Sequence, residues 1–246
     1  MLLKVKGIVI REALSGEKDK VITIFTQEYG KISVFAGGAK TQKGRLVSCC
    51  QLFSYCDFVI FKNKDKYSLN DGQVIESFFN ITKDLEALSL GQYFLQLCDY
   101  AFPENEKCPE VLSLILNSLY LLCKRTKPNV MIKSIFELRL MCLAGFSPDI
   151  ILCSSCEKEI EKGKKAFFLI SEGKIICENC GENTFVMTPA VIMCMRFIIY
   201  GDIKKIFSFK ASDETIQLLN YITENYCIFK LEKKLDTLDF YKSILC

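Results

Sequence analysis

Histidine and tryptophan are both absent from the 246 residues, and proline occurs only 5 times. Without an imidazole there can be no Ser-His-Asp or Cys-His nucleophile pair, no imidazole base near neutral pH and no His-containing metal site. Carboxylate, lysine, tyrosine or cysteine chemistry remains, or binding without catalysis. Long apolar runs are also missing. The longest charge-free stretches are Val111–Cys123 and Asn183–Met195, whereas a membrane-spanning helix needs about 18 or more consecutive apolar residues. The opening MLLKVKGIVIREAL carries Lys4, Lys6 and Arg11, which is not the apolar core of a signal peptide. A cytoplasmic protein with reduced thiols and no membrane partner is expected.

Cysteine, by contrast, is abundant at 14 residues. In a chain of this length without a secretion signal, that number does not imply a disulfide scaffold. Cys98, Cys123, Cys142 and Cys194 lie in apolar stretches, where cysteine serves as a small hydrophobe. Half of the residues are apolar and a quarter charged, a globular composition with material for a sizeable core. The net charge of +3 is uneven: +4 over residues 1–80, −1 over 81–150 and zero over 151–246.

The first third reads as short strands rich in Ile, Val, Phe and Tyr: Lys4–Arg11, Lys20–Phe25, Lys31–Phe35, Phe53–Phe61 and Tyr67–Glu76. Turn signals separate them, including Ser15-Gly16, Tyr29-Gly30, Gly37-Gly38 and Asp71-Gly72. Five short strands in about eighty residues suggest a Greek-key barrel of the OB type, with an SH3-like barrel the next choice. The apolar period then becomes helical, giving helices over Lys83–Phe102, Pro109–Arg125, Val130–Ala144, Pro189–Tyr200, Asp213–Tyr226 and Leu235–Ile244. These are apolar over wide arcs, as in a bundle. The predicted fold is therefore α+β and multidomain. An OB-type barrel (1–80) precedes a helical domain (81–150 and 184–246), which carries an inserted zinc-ribbon-like module (151–183).

That insert holds Cys153-x2-Cys156 and Cys177-x2-Cys180 around a hairpin containing Phe167, Phe168, Ile170, Ile175 and Ile176. Two residues between thiolates let both reach one tetrahedral ion, and four sulfurs complete a closed structural Zn2+ site, one per chain. Unrelated core cysteines and a redox dithiol are the other readings. With four protein ligands such a site has no open position for catalysis. The segment Gly37-Gly38-Ala39-Lys40-Thr41-Gln42-Lys43-Gly44-Arg45 is a glycine-rich basic loop. Ala39 before Lys40 and the missing upstream glycine spacing exclude a P-loop. Exposed cations on flexible backbone suit a phosphodiester chain, so Lys31, Lys40, Lys43, Arg45, Lys62, Lys64 and Lys66 are the candidate DNA-binding residues. An ordinary solvated hairpin loop is the plain alternative. Phe25, Tyr29, Phe35, Phe53, Tyr55 and Phe58 are available for base stacking, most of them in core positions. No cluster of acids or activated thiol marks a catalytic site, so no enzyme is expected.

Several segments, in order, resemble the bacterial recombination mediator and DNA repair family RecO. They are Gly7-Ile8-Val9-Ile10-Arg11, Gly16-Glu17-Lys18-Asp19-Lys20, Ile24–Lys31, Gly38-Ala39-Lys40 and Phe136–Leu140 leading to Ala144-Gly145-Phe146-Ser147-Pro148-Asp149. The resemblance runs over essentially the whole chain. Gly37 or Gly38 and Gly44 stand where many relatives have lysine and serine, which leaves Lys40, Lys43 and Arg45 to carry the loop. The resemblance implies an OB barrel, a helical domain and a four-cysteine zinc module. It also implies binding of single- and double-stranded DNA, annealing of complementary strands, and loading of RecA onto DNA coated with single-strand-binding protein, with RecR as partner. It further implies docking of the acidic tail of single-strand-binding protein on the helical domain, for which Lys124, Lys133, Arg139 and Arg196 are candidates. A zinc-containing protein-interaction adaptor with incidental DNA affinity is the alternative function, and a thiol oxidoreductase using a C-x-x-C pair a third.

Overall fold

The computed structural model describes residues 1–40, 46–64, 66–181 and 185–245. It divides into two compact units, residues 1–124 with 236–246, and residues 125–235.

The first unit begins with strands β1 (Leu2–Ser15), β2 (Asp19–Thr26), β3 (Gly30–Ala36), β4 (Ser54–Asn63) and β5 (Lys66–Ser77), with a short helix α1 (Leu46–Cys49) between β3 and β4. They form a closed barrel in the order β1-β2-β3-β5-β4, so the OB-type expectation holds. Alternation decides the faces: Leu3 and Val5 point into the core while Lys4 and Lys6 face outward. Ile22, Ile24, Ile32, Val34, Phe58, Ile60 and Leu69 complete the interior. The turn before β3 needs Gly30, whose φ of +62° is left-handed, and an added Cβ would lie 1.8 Å from the Glu106 carbonyl oxygen. A 3-10 helix (Phe78–Lys83) leads to α2 (Leu85–Ala101), whose N-terminus is capped by the Asp84 carboxylate accepting from Ala87 N–H at 2.9 Å. Helix α3 (Pro109–Lys124) follows. After the excursion through the second unit, α7 (Asp236–Ser243) returns to α2, where the Thr237 hydroxyl donates to Gln96 Oε1.

The second unit comprises α4 (Asn129–Leu143), strands β6 (Asp149–Cys153), β7 (Ala166–Leu169), β8 (Lys174–Cys177) and β9 (Phe185–Met187), then α5 (Pro189–Tyr200) and α6 (Asp213–Leu231). The strands form a sheet in the order β6-β8-β7-β9. The hairpin foreseen between the cysteine pairs is thus the centre of a four-stranded sheet. Helix α6 starts at the Ser212 cap, with Asp213 and Glu214 in its first turn. It runs five residues past the predicted end at Tyr226, because Cys227 is buried and no breaker intervenes before the left-handed Glu232.

A buried ion network joins α4 to α6. Lys133 Nζ meets Glu137 Oε1 at 2.8 Å, Glu224 Oε2 at 2.9 Å and Asn220 Oδ1 at 2.9 Å, while Thr223 donates to Glu137 Oε2 at 2.8 Å. Three acceptors match the three N–H donors of the ammonium. Burial lowers the Lys133 pKa, but Glu137 and Glu224 outweigh it and hold it above the ordinary lysine value. A raised folded pKa contributes stability below the unfolded value and loses it only as pH rises through the folded one, so the network persists through neutral pH. Lys133→Met would strand Glu137 as a buried charge and should destabilise this unit by about 3–5 kcal/mol, read as a lower urea midpoint. The double variant K133M/E137L should recover most of the loss. A wild-type midpoint in K133M would show that the network contributes nothing.

Candidate metal centre and nucleic-acid surface

The two cysteine pairs sit on matching knuckles of the second unit. In the first, Glu157 at φ +58° turns the chain so that its N–H donates back to the Cys153 carbonyl at 2.9 Å. In the second, the N–H groups of Cys180 and Gly181 both donate to the Cys177 carbonyl at 3.0 Å. The knuckles are tied together by Ser154 N–H donating to the Ile175 carbonyl at 2.8 Å, and by Cys177 N–H donating to Cys153 Sγ at 3.3 Å. Gly181 leaves room for Phe167, whose Cδ2 would lie 2.7 Å from an added Cβ.

All four sulfurs, of Cys153, Cys156, Cys177 and Cys180, lie within 4.8 Å of one another. Cys156 and Cys177 Sγ are 3.8 Å apart, which equals the tetrahedral edge of about 3.8 Å expected for four sulfurs about 2.3 Å from a common ion. The thiols are electrostatically unlike. Burial raises the Cys153 pKa, but donation from the Cys177, Cys156 and Ser155 amides outweighs it and brings the thiol down to about 6. Hydrogen bonds with the Cys177 and Cys156 thiols push Cys180 up to about 12. A bound cation would take the place of thiol protons at these sulfurs. These residues fit a closed structural metal site.

The candidate DNA-binding residues fare differently from one another. Lys40 is exposed, and its N–H donates to the Lys18 carbonyl at 3.0 Å, beside the β1–β2 turn. Lys43 and Arg45 lie outside the described residues. Lys64 and Lys66 are exposed at the β4–β5 turn, and half-buried Lys62 places its ammonium 5.3 Å from the Tyr67 ring centre. Lys31 is employed internally: its buried ammonium bonds the Asp99 carboxylate at 2.9 Å and the Asp99 carbonyl. Arg11 approaches the same carboxylate at 3.5 Å. A strand-end lysine looks the same in sequence whether its partner is water or an aspartate 68 residues away.

The four residues proposed for tail docking each have partners nearby. Lys133 belongs to the buried network above. Arg139 donates to the Ile198 and Ile199 carbonyls at the end of α5, and Arg196 to the Ile150 carbonyl at 3.0 Å. Lys124 lies over the exposed Tyr120 ring, 5.6 Å from its centre. An apolar groove of about 730 Å³ lies elsewhere in the second unit, lined by Phe168, Leu169, Ile170, Phe185, Ile228 and Phe229. Lys230 stands at its rim, donating to the Ser171 carbonyl at 2.8 Å. The sequence reading missed this groove because it ended α6 before Ile228. It also missed Phe61, although strand alternation with buried Ile60 marks that ring as outward-facing.

Comparison with known proteins agrees with this architecture. The family model "Recombination protein O N terminal" matches residues 1–78, and "Recombination protein O C terminal" matches residues 82–239. The chain belongs to the RecO family of DNA repair proteins. The first RecO match ends and the second begins within the 3-10 helix. The chain is 34% identical over 245 residues to "DNA repair protein RecO" of Acetivibrio thermocellus, covering 98% of this chain and 97% of that one. It is also 34% identical to the RecO of Caldicellulosiruptor bescii, with 99% of each chain covered, and 30% identical to that of Clostridium acetobutylicum, with 98% of each covered. No described helix is long and apolar enough to cross a membrane.

Elemental analysis should find about one metal ion per chain. Cys153→Ser with Cys177→Ser should abolish it and lower the thermal midpoint, since the metal's folding energy would be lost. A metal-free double variant that melts with the wild type would remove the structural role.

Proposed function

We propose that this chain is a non-enzymatic recombination mediator in DNA repair. It binds single- and double-stranded DNA, anneals complementary strands, and assists RecA loading onto DNA coated with single-strand-binding protein, together with RecR. It acts in the cytoplasm, at the nucleoid. The observation that carries this reading is a closed barrel of OB type, with lysines at its loop ends, in a chain matched by RecO models over nearly its full length. Annealing requires no bond to be made or broken. It needs a surface that neutralises phosphates, keeps bases accessible and lets two strands meet.

In this reading Lys40, Lys62, Lys64 and Lys66 neutralise phosphates, joined by Lys43 and Arg45. The metal is Zn2+, one per chain, held by Cys153, Cys156, Cys177 and Cys180. Its contribution is folding energy for a sheet too small to hold its own core. The acidic, phenylalanine-ended tail of single-strand-binding protein docks on the helical part. There the apolar groove beside Phe229 offers a seat for an aromatic ring, and Lys230 a counter-charge.

The deciding experiment is annealing of complementary oligonucleotides, with and without single-strand-binding protein. Acceleration in both settings is expected, whereas a protein-interaction adaptor would leave the rate at that of the DNA alone. For the single strand, log K should fall steeply with log salt, and Lys40→Ala, Lys43→Ala and Arg45→Ala together should reduce that slope. An unchanged slope removes the loop from the binding surface.

A further inference from the structure

The barrel register creates an outward row that crosses four adjacent strands. Phe35 on β3 is directly opposite Ser68 on β5, Ser68 is opposite Phe61 on β4, and Phe61 is opposite Leu2 on β1. Residues directly opposite share a sheet face. Phe35 is 42% exposed, Phe61 45% and Leu2 61%, while the small Ser68 between the rings leaves both open. These are large apolar groups left substantially in water on that face.

Positive charge gathers at the Phe61 end of the row. Beyond Phe61 lie the amino-terminal ammonium, which donates to the Lys62 carbonyl at 3.0 Å, and the exposed Lys64 and Lys66 of the β4–β5 turn. At the other end the Phe35 ring lies beside Gly37, its Cε1 3.5 Å from where a Cβ would be, close to the Asp19 carboxylate that accepts from Gly38 N–H at 2.7 Å, and exposed Lys40 follows. The next outward row runs Asp71, Val59, Lys4 and the one after it Gln73, Asp57, Lys6, each with one acid and one lysine, so the aromatic band differs from its neighbours by its rings.

The spacing of the rings selects the ligand. With strands about 4.8 Å apart, Phe35 and Phe61 stand about 10 Å from each other across β5. Bases in a duplex are about 3.4 Å apart along a strand and stacked on their neighbours, so they cannot reach both rings. A flexible single strand can, presenting one unstacked base to each. Aromatic platforms between cationic loops hold single strands in this way with little sequence preference, because every base has a π-face.

We infer that Phe35 and Phe61 form a two-ring stacking platform for single-stranded DNA, one that distinguishes it from duplex. The inference rests on the DNA-binding reading above and specifies the surface that recognises the single strand. Bases held by their faces keep their pairing edges free, as annealing requires.

The test compares F35L/F61L with the wild type by fluorescence anisotropy, using a labelled oligothymidylate and a duplex of the same length. Leucine keeps the apolar bulk, and hence the fold, but has no π-face. Single-strand affinity should fall about tenfold or more, with duplex affinity unchanged. The slope of log K against log salt should also stay the same, because no cation is removed. F35Y/F61Y, which retains the rings, should bind single strands like the wild type. Wild-type single-strand affinity in F35L/F61L, or equal losses on both forms of DNA, overturns the platform while leaving the lysine-mediated reading intact. A wild-type protein that shows no salt-dependent binding to the oligothymidylate sinks both together.

Discussion

Two register pairs, Val34 with Tyr67 and Phe35 with Ser68, join β3 to β5 in parallel, and this short seam closes the barrel. Every other pairing in that sheet is antiparallel and longer. Closure leaves no free sheet edge to aggregate. It also fixes which residues face inward, since shifting either strand by one position would exchange core for surface. Ile32 and Val34 reach the interior because of this register, and Ser33 and Phe35 face outward for the same reason. The lysine-bearing turns and the exposed rings are thus secondary results of one seam.

Charge is distributed by the same logic of partners. Lysines that the fold brings near a carboxylate are drawn inward: Lys31 to Asp99, and Lys133 to Glu137 and Glu224. Lys64 and Lys66, at the β4–β5 turn, are exposed. The cysteines divide in a comparable way. Burial raises the Cys98 and Cys194 thiols, which leaves them unreactive hydrophobes. At the knuckles, amide donors lower Cys153 instead and prepare it as a ligand.

Local pattern carried much of this into the sequence. The five barrel strands, the main helices and the paired C-x-x-C units were legible because alternation, helical period and ligand spacing are properties of short segments. Strands β6 and β9 were not, since five and three residues of ordinary composition become strands only when β8 and β7 lie beside them. The fate of a basic side chain was equally hidden. Lys31 and Lys66 are alike as letters, and only a partner far along the chain separates them. Phe61 was readable from alternation against Ile60, but its alignment with Phe35 depends on the path through Ser68.

The return of α7 to α2 bears on how the chain matures during synthesis. Residues 125–235 form a compact unit that is continuous in sequence, whereas the unit containing the barrel is completed only by residues 236–246. The inserted unit can therefore collapse as soon as it leaves the ribosome. The barrel unit, begun first, must wait with part of α2 uncovered until Leu238 and Tyr241 arrive to be buried. Order of translation and order of completion are reversed, and the apolar face of α2 is the surface a nascent-chain chaperone would meet in the interval.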